Sequence, residues 1–383
     1  EYFRDGAIIQ RGKPIPVWGH ANKGVKVTVT LGGITRTVVA NDLQQWSVEF
    51  PPFEVSTDPQ TLSVQSSHGF SRTVNNILVG DVWYLTGTTL LNGELAFNQR
   101  DKDATIPTAM PLVREFRRKT AASSFPTPRK RKFETGGGRY RSSWMAADFS
   151  AADQGVTMFA YHFAKTLSRE GIPQGFITMS SGHGGGARQM ASPLSWTSFH
   201  GVKDIDHPAF QARLDELFMQ YPNTSIARNA ADRHVKEVEA FVKTIITANK
   251  QGADLSKAAP LAGPAFPEAG KNSTIRSDMI PTYAYNWCVS PMTPMAVAGV
   301  IWIPSEHNIG YTPAHYAAEL EFYAKSLAGT YGLDKVQFLY AQPTDSLVEG
   351  ITAPEISGTR SITFASWPKS LKDLAIEMAK LVE

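Results

Sequence analysis

Two histidines stand in stretches of the sequence that suit acid–base chemistry. His183 lies in the run Gly182-His183-Gly184-Gly185-Gly186, and His307 lies between Glu306 and Asn308. An imidazole titrates near neutral pH, so a histidine in an accessible loop can accept or donate a proton. Glycine-rich backbone also lets a substrate approach closely and offers amide donors to a negative oxygen. The alternative for His307 is an ordinary surface or packing histidine.

Arg188 and the pair Tyr285-Asn286 extend this set toward an acidic sugar. A guanidinium is well suited to binding a carboxylate, although a structural ion pair is the alternative for Arg188. These residue types suit β-elimination beside a uronic acid, in which a base removes the C5 proton, the 4-linked oxygen leaves and donors stabilise the enolate-like intermediate. The predicted catalytic roles are His183 or Tyr285 as the base, Arg188 and Asn286 as carboxylate neutralisers, and His307 or Tyr140 as the leaving-group acid.

A strongly basic segment lies between Arg114 and Arg141. It contains ten cationic residues and only two acidic ones, Glu115 and Glu134; the cationic residues are Arg114, Arg117, Arg118, Lys119, Arg129, Lys130, Arg131, Lys132, Arg139 and Arg141. Such a run is either a solvated loop or a groove for a polyanion. The aromatic residues form no recognisable nucleic-acid module, so an acidic polysaccharide is the predicted partner, with Arg139, Tyr140 and Arg141 binding it.

The elements that must position these residues follow from the apolar patterns after Gly80. Apolar strands alternate there with helix-like stretches, including a final helix from Lys369 to Val382, and this alternation predicts a parallel sheet flanked by helices. Ligands of such sheets bind beyond the carboxyl ends of the strands, so the loops that start at Thr86, Ser180 and Pro304 should converge on one site. The predicted strands are Asp81 to Leu85, Gly175 to Met179, Val297 to Ile303 and Val336 to Tyr340, and the predicted helices between them are Thr157 to Glu170 and Ala314 to Ala328.

The first part of the chain has a different pattern. From Val25 to about Val79, apolar and polar residues alternate in short runs that are separated by turn residues such as Gly32-Gly33 and Asn41-Asp42. A period of two at this spacing predicts a small antiparallel β-sandwich. We therefore predict two domains, a β-sandwich over residues 1–78 and an α/β domain over residues 79–383.

Composition limits the classes of protein that this chain can be. Its 383 residues, 42% hydrophobic and 19% charged with a net charge of +3, are enough for a large core. The single cysteine, Cys288, rules out an internal disulfide and a cysteine-based metal cluster. No apolar run is long enough to predict membrane insertion. His183, His307 and Glu306 lie on separate predicted loops without a short ligand spacing, so we predict neither a metal nor a cofactor.

Three motifs, RGKPIPVWG (Arg11 to Gly19), LVGDVW (Leu78 to Trp83) and GVIW (Gly299 to Trp302), resemble the sialate O-acetylesterase-like branch of the SGNH hydrolases. The resemblance runs over nearly the whole chain. It implies a flavodoxin-like parallel sheet with flanking helices, a small N-terminal antiparallel β-domain and a carbohydrate substrate. It also implies a secreted or periplasmic protein, and the start at Glu1 without a leader is then explained by removal of a signal peptide.

The sequence departs from that family at the catalytic motifs. The family's G-Q-S-N-M turn is replaced by Gly87-Thr88-Thr89-Leu90-Leu91, which puts Thr89 at the nucleophile's position. The family's D-x-H-P is replaced by Ala365-Ser366-Trp367-Pro368, which puts Trp367 at the position of the base, and an indole cannot accept a proton. The Ser-His-Asp mechanism therefore lacks all three members. We assign the replacement residues, with two polar neighbours of the site, to substrate binding: Thr88, Thr89, Asn286, Glu306 and Trp367.

The predicted function is accordingly a polysaccharide lyase that acts on an acidic polysaccharide, one containing uronic acid and in some cases sulfate, on a degenerate esterase scaffold. Two alternatives stay open. One is a carbohydrate O-acetylesterase that uses Thr89 or an unaligned serine, with Glu306 and His307 in support. The other is a non-catalytic glycan-binding protein. A glycoside hydrolase fits less well, because it needs two carboxylates and Glu306 is the one acidic residue in the predicted site loops.

Overall fold

The computed structural model describes nearly all of residues 1–78 and about half of residues 79–383. The described residues are 2–42, 44–87, 108–117, 143–148, 155–179, 192–197, 284–304, 313–331, 336–368 and 371–382, with the single positions 236, 239, 243, 246, 247, 249–251 and 309. No side-chain detail is described at positions 117, 143, 286, 287 and 291.

The described residues contain thirteen strands and three α-helices. The strands are β1 Ile8–Gln10, β2 Ile15–His20, β3 Lys26–Leu31, β4 Ile34–Val39, β5 Gln45–Phe50, β6 Ser56–Ser66, β7 Ser71–Gly87, β8 Met110–Arg117, β9 Ser143–Ala147, β10 Gln174–Thr178, β11 Gly299–Ile303, β12 Gln337–Pro343 and β13 Arg360–Phe364. The helices are α1 Met158–Leu167, α2 Pro313–Tyr331 and α3 Lys372–Ala379. Short helical turns lie at Pro193–Trp196, Tyr285–Val289 and Ser290–Met292.

The main sheet has the strand order β13-β12-β11-β7-β10-β8-β9. Every neighbouring pair in it is parallel except β8 and β9, which are antiparallel. The inner run β10-β7-β11-β12-β13 has the 2-1-3-4-5 order of flavodoxin-like sheets. The predicted α/β class and its parallel sheet are confirmed, and the antiparallel edge strand β9 makes the sheet mixed.

Helices cover both faces of this sheet, and the second half of β7 is therefore buried on both sides. Residues Ile77 to Gly87 are all buried. On one face Trp83 and Leu85 join a core with α1 and α3, while on the other Val82 and Tyr84 join a core with α2. A strand buried on both faces reads as a continuous apolar run rather than an alternating one, which is the pattern that predicted it.

The first part of the chain forms antiparallel ladders, as its period-two pattern predicts. In one sheet β3 pairs with β4 and β6, and β6 pairs with β7, while β2 pairs with β5 in a separate two-stranded sheet. Inward side chains of both sheets, such as Val29 of β3 and Val48 of β5, belong to the same buried cluster. The strand β1 is an exception, because it pairs with β7 in parallel.

The strand β7 connects the two parts without interruption. Its first residues pair with β6, and its last residues pair with β10 and β11. The domain boundary that we place between residues 78 and 79 therefore falls inside one 17-residue strand. The two proposed domains share a backbone element rather than a flexible linker.

The predicted elements of the sheet and its helices are confirmed with small shifts of their ends, except that the strand predicted from Asp81 to Leu85 is the last part of β7, which begins at Ser71. The strands predicted at Asp81, Gly175, Val297 and Val336 correspond to β7, β10, β11 and β12. The helices predicted at Thr157, Ala314 and Lys369 correspond to α1, α2 and α3. Sequence reasoning did not find β8, because its residues Met110–Arg117 overlap the start of the basic segment, or β13, whose residues are largely exposed.

Candidate active site at the carboxyl edge of the sheet

The carboxyl ends of three adjacent strands define the candidate site. β7 lies between β10 and β11, with Leu85 opposite Thr178 and Gly87 opposite Ile303. The loops that follow these strands therefore leave the sheet side by side, as the sequence predicts. Their convergence on one site stays a prediction, because residues 88–107, 180–191 and 305–308 lie outside the described part of the chain.

Gly87, the last residue of β7, lies close against the backbone of Ile303 at this edge. It has φ +112°, and a Cβ at this position would lie 2.0 Å from the carbonyl oxygen of Ile303. A side chain is excluded by both the backbone conformation and the lack of space. The sheet's strand order reverses between β7 and β11, and such a reversal opens a crevice for ligands beyond the strand ends. Gly87 thus ends β7 beside that crevice.

Thr86 fixes the end of β7 rather than acting on a substrate. Its side chain is fully buried, and its Oγ1 donates to the carbonyl oxygen of Ile301 at 3.2 Å. This bond adds a side-chain link to the backbone ladder between β7 and β11. The start of the loop after Gly87 is therefore held at a defined place on the sheet edge.

Glu115 is a buried carboxylate close to this edge that sequence reasoning missed. It is fully buried on β8, and its carboxylate accepts from the backbone N–H of Thr157 at 2.5 Å, from Thr157 Oγ1 at 3.0 Å and, over a short contact, from Thr178 Oγ1. Thr157 is the N-cap of α1, and Thr178 ends β10. Glu115 therefore fixes the start of α1 and the point where the loop with His183 begins.

The position of Arg114 corrects the reading of the basic segment. Its guanidinium is buried and donates to the carbonyl oxygens of Gly6 and Asn76 at 2.9 and 2.8 Å, and to Asn76 Oδ1 at 3.1 Å. These contacts join β8 to the N-terminal part of the chain. Arg114 is a structural cation. It therefore does not line the polyanion groove that was one interpretation of the basic segment.

Most of the predicted site residues lie outside the described part of the chain. These are Thr88, Thr89, Arg139, Tyr140, Arg141, His183, Arg188, Glu306 and His307. Asn286 has a described backbone, in the helical turn Tyr285–Val289, but no described side chain. The assignments of these residues stay predictions.

Tyr285 is fully buried in the core on the α2 side of the sheet. Burial raises the pKa of its phenol to about 12, although a hydrogen bond with the Thr293 side chain acts in the opposite direction. Its hydroxyl oxygen is closed to solvent. A phenol in this environment is difficult to ionise and out of reach of a polymer, which argues against its predicted role as a base.

Trp367 is half-buried just beyond the carboxyl end of β13. Its ring contacts Phe364 edge to face, with 5.3 Å between ring centroids, and it packs against the buried core. An indole held in this way and partly open to solvent can stack on a sugar ring. β11 and β12 lie between β7 and β13 in the sheet, so a ligand that contacts both Gly87 and Trp367 must be extended.

The described residues give no sign of a metal site or a membrane span. No group of three histidine, cysteine, aspartate or glutamate side chains in this part of the chain could hold a metal ion. Cys288 is a buried free thiol. Among the helices that the structure describes, none is both long and apolar enough to cross a bilayer.

The fold places the chain among α/β proteins with a mostly parallel sheet. No family model and no curated protein matches the sequence. Among solved structures, it is similar to a carbohydrate acetylesterase from Xanthomonas citri, with a TM-score of 0.62, 20% identity and coverage of 99% of this chain and 72% of that one. A protein from Arabidopsis thaliana also matches, with a TM-score of 0.34, 9% identity and coverage of 79% of this chain and 97% of that one. At these identities the comparisons establish the fold alone.

Proposed function

We propose that this protein is a carbohydrate-active enzyme that removes acetyl groups from sugars. The observation that carries the proposal is the similar fold: a structural alignment with a carbohydrate acetylesterase covers 99% of this chain, with a TM-score of 0.62. The crevice at Gly87 and Ile303 supports it, because that is where an open α/β sheet binds its ligands. The esterase, which the sequence offers as an alternative, is thus favoured over the lyase.

The lyase interpretation gains no support from the described residues. It relied on a basic segment and on Tyr285 as one choice of base. Arg114 is occupied by Gly6 and Asn76, and Tyr285 is buried. Uronate binding by Arg139 and Arg141 remains a prediction, and the same segment would serve an acetylated acidic glycan equally well.

The proposed reaction uses residues in the three loops that leave the carboxyl edge. The Thr89 hydroxyl attacks the acetyl carbonyl carbon while His183 or His307 takes its proton, and the sugar hydroxyl leaves with a proton from the same imidazole. Water then attacks the acetyl-threonine ester, releasing acetate and restoring the hydroxyl. Glu306 would orient the histidine, and backbone amides of Gly184 to Gly186 would stabilise the oxyanion.

Threonine is an unusual nucleophile here because its β-branch restricts χ1 and crowds the attacked carbon. Ser195, a serine near the same core, does not replace it. Ser195 is fully buried, and its Oγ accepts from the backbone N–H of Ala284 at 3.0 Å. Ser195 is therefore a structural serine. Thr89 stays the proposed nucleophile, with an unaligned serine elsewhere in the chain as the alternative.

The test compares acetate release from a panel of acetylated oligosaccharides and polysaccharides by the purified protein and by Thr89 variants. Thr89→Ala should abolish release, and Thr89→Ser should keep or raise it. Thr73→Ala, at an exposed position in the first half of β7, is the matched control with activity near wild type. Circular dichroism and thermal unfolding confirm that each variant is folded.

Two parallel measurements separate the alternatives. Ultraviolet absorbance of unsaturated uronate, formed from uronate-containing polysaccharides without acetate release, would overturn the proposal in favour of a lyase. Saturable glycan binding without either product would overturn it in favour of a binding protein. Acetate release that is unchanged in Thr89→Ala would keep the esterase and remove Thr89 as its nucleophile.

We also propose that the protein meets this substrate outside the cytoplasm.

A further inference from the structure

An open groove of about 330 Å³ lies beside β7 in the N-terminal part of the chain. Its walls come from the turn between β3 and β4, the segment between β5 and β6, and the strands β6 and β7. The lining includes Gly32, Phe53, Glu54, Ser56, Gln60 and Val79. Ligand pockets of proteins begin at about this size, so the space suits a small ligand or a short part of a larger one. We call it the Phe53 groove.

The ring of Phe53 forms one wall of the groove and lies against the backbone of Gly32. A Cβ at Gly32 would lie 2.8 Å from Phe53 Cε2 and 2.9 Å from Phe53 Cζ, and Gly32 has φ +55°. Glycine at this position therefore gives the ring its place. The carbonyl oxygen of Phe53 accepts from the backbone N–H of Gly12 at 2.9 Å. The ring is half-buried, so it is held in position and still presents part of its surface to the groove.

Three polar side chains of different chemistry share the groove with this ring. Glu54 is exposed and offers a carboxylate, while Ser56 and Gln60 are half-buried and offer a hydroxyl and an amide. Gln60 Nε2 donates to the carbonyl oxygen of Asp58 at 3.1 Å, and Gln60 Oε1 lies 3.5 Å from the Cβ position of Gly32. Ser56 Oγ accepts from the backbone N–H of Asp58 at 3.1 Å. These bonds orient both side chains before any ligand arrives.

This combination of groups selects among classes of ligand. A pyranose has apolar C–H faces that pack on an aromatic ring, and a rim of hydroxyls that donate to carboxylate and amide oxygens. An anion would be repelled by Glu54. A hard metal ion needs about six oxygen ligands, and the groove offers one carboxylate. A wholly apolar ligand would cover three polar side chains without giving them partners.

The Phe53 groove is separate from the candidate active site. Val79, which lines it, lies eight positions before Gly87 on β7, or about 26 Å of extended strand. A single sugar cannot span that distance, whereas a polysaccharide can. We propose that the Phe53 groove is a second saccharide-binding site, which takes one or two uncharged sugar residues of the polysaccharide that the enzyme deacetylates. This inference rests on the proposed function for the identity of the polymer.

The first test is affinity electrophoresis of the full-length protein in gels that contain chemically deacetylated xylan, glucomannan, galactan or β-glucan. The wild type should be retarded by at least one of them, and Phe53→Ala and Glu54→Ala should each bind it about tenfold more weakly. The matched controls, Phe70→Ala on the turn between β6 and β7 and Glu49→Ala on β5, alter exposed side chains outside the groove and should bind like wild type. Glu54→Ala changes an exposed side chain, so the test does not depend on Phe53→Ala folding.

Kinetics separate this inference from the proposed function. On an acetylated polymer, Glu54→Ala should raise KM about tenfold and leave kcat unchanged, because the groove adds binding without contacting the acetyl group. Turnover of 4-nitrophenyl acetate, which is too small to reach both sites, should equal wild type.

Wild-type polymer binding by both groove variants would overturn the inference and leave the proposed function standing. An equal loss of binding in the two control variants, or no binding of any of the polysaccharides by the wild type, would do the same. An absence of acetate release by the wild type would instead overturn the proposed function, and the binding gels would still test the groove.

Discussion

Arg11 Nε donates to Asp81 Oδ1 at 2.8 Å, across 70 positions of sequence. Asp81 is buried at the start of the parallel part of β7, and Arg169 contacts its other oxygen. Arg11 and Asp81 belong to two of the three motifs that resemble the SGNH family. Gly87 lies six positions after Asp81, which is about 20 Å of extended chain. These two motifs thus stabilise the scaffold at the opposite end of the strand from the candidate site.

Arg11→Ala should destabilise the protein by about 1–3 kcal/mol, because it leaves a buried carboxylate with one cation fewer. The cost stays below that of a fully buried pair, since the Arg11 side chain is 35% exposed and Arg169 remains. Urea unfolding measures the free energy. Arg36→Ala is the matched control, because the exposed Arg36 contacts only the neighbouring carbonyl of Thr35 among the bonds that the structure describes. Equal midpoints for both variants would argue against the ion pair.

The ion pair should also make stability depend on pH. Burial favours the neutral form of Asp81, but the hydrogen bonds and charges of Arg11 and Arg169 outweigh it and lower its pKa. A carboxylate with a lowered folded-state pKa contributes stability above its unfolded pKa of about 3.9 and loses it as the pH falls through the folded value. The stability difference between wild type and Asp81→Asn should therefore be constant near neutral pH and shrink below about pH 4. A constant difference down to about pH 2 would contradict this.

Gly87→Ala should destabilise the protein by about 3–5 kcal/mol, because the new methyl would overlap the carbonyl of Ile303 and the backbone has φ +112°. Gly350→Ala separates the two causes. Gly350 also has a positive φ, +76°, but nothing lies within 4 Å of an added Cβ, so its cost should be about 1–2 kcal/mol. Thermal unfolding of both variants measures the difference. Similar costs would mean that space at Ile303 does not matter.

Glu115→Gln should cost about 2–4 kcal/mol, because an amide nitrogen cannot accept from Thr157 or Thr178 as the carboxylate oxygen does. We expect the start of α1 to exchange amide hydrogens faster in this variant, which hydrogen exchange would detect. The exposed Glu377→Gln, which loses only a surface pair with Lys380, should change stability by less than about 0.5 kcal/mol. A wild-type unfolding midpoint for Glu115→Gln would show that the carboxylate is not needed.

His183→Ala should abolish acetate release while glycan binding stays near wild type, because the variant removes a proton acceptor and no large binding surface. The assay is acetate release, with binding measured by calorimetry. His68→Ala in the N-terminal part of the chain is the control, since His68 lies on an exposed turn between β6 and β7. Wild-type turnover in His183→Ala would exclude His183 and leave His307 as the proposed base.

The sequence by itself determined most elements of this fold, although not β8, β9 or β13. Period-two alternation predicted the antiparallel ladders. Continuous apolar runs predicted the second half of β7, and they predicted β10, β11 and β12 within a few residues. These patterns can be read locally because a strand or helix repeats every few residues. The sequence also indicated where the loops with His183 and His307 begin, since parallel strands expose their carboxyl ends at one edge of the sheet.

The tertiary structure alone decided which polar residues are structural. Arg114 and Glu115 are neighbours in a run that reads as a charged surface, yet both are buried, with partners such as Gly6 and Thr157. Tyr285 reads as a site residue and lies in the core. Burial of a polar group depends on partners that are 38 to 108 positions away, as for Arg114, and no local pattern encodes such a pairing. Long-range packing therefore determined that Tyr285, among the predicted site residues, is placed away from a substrate.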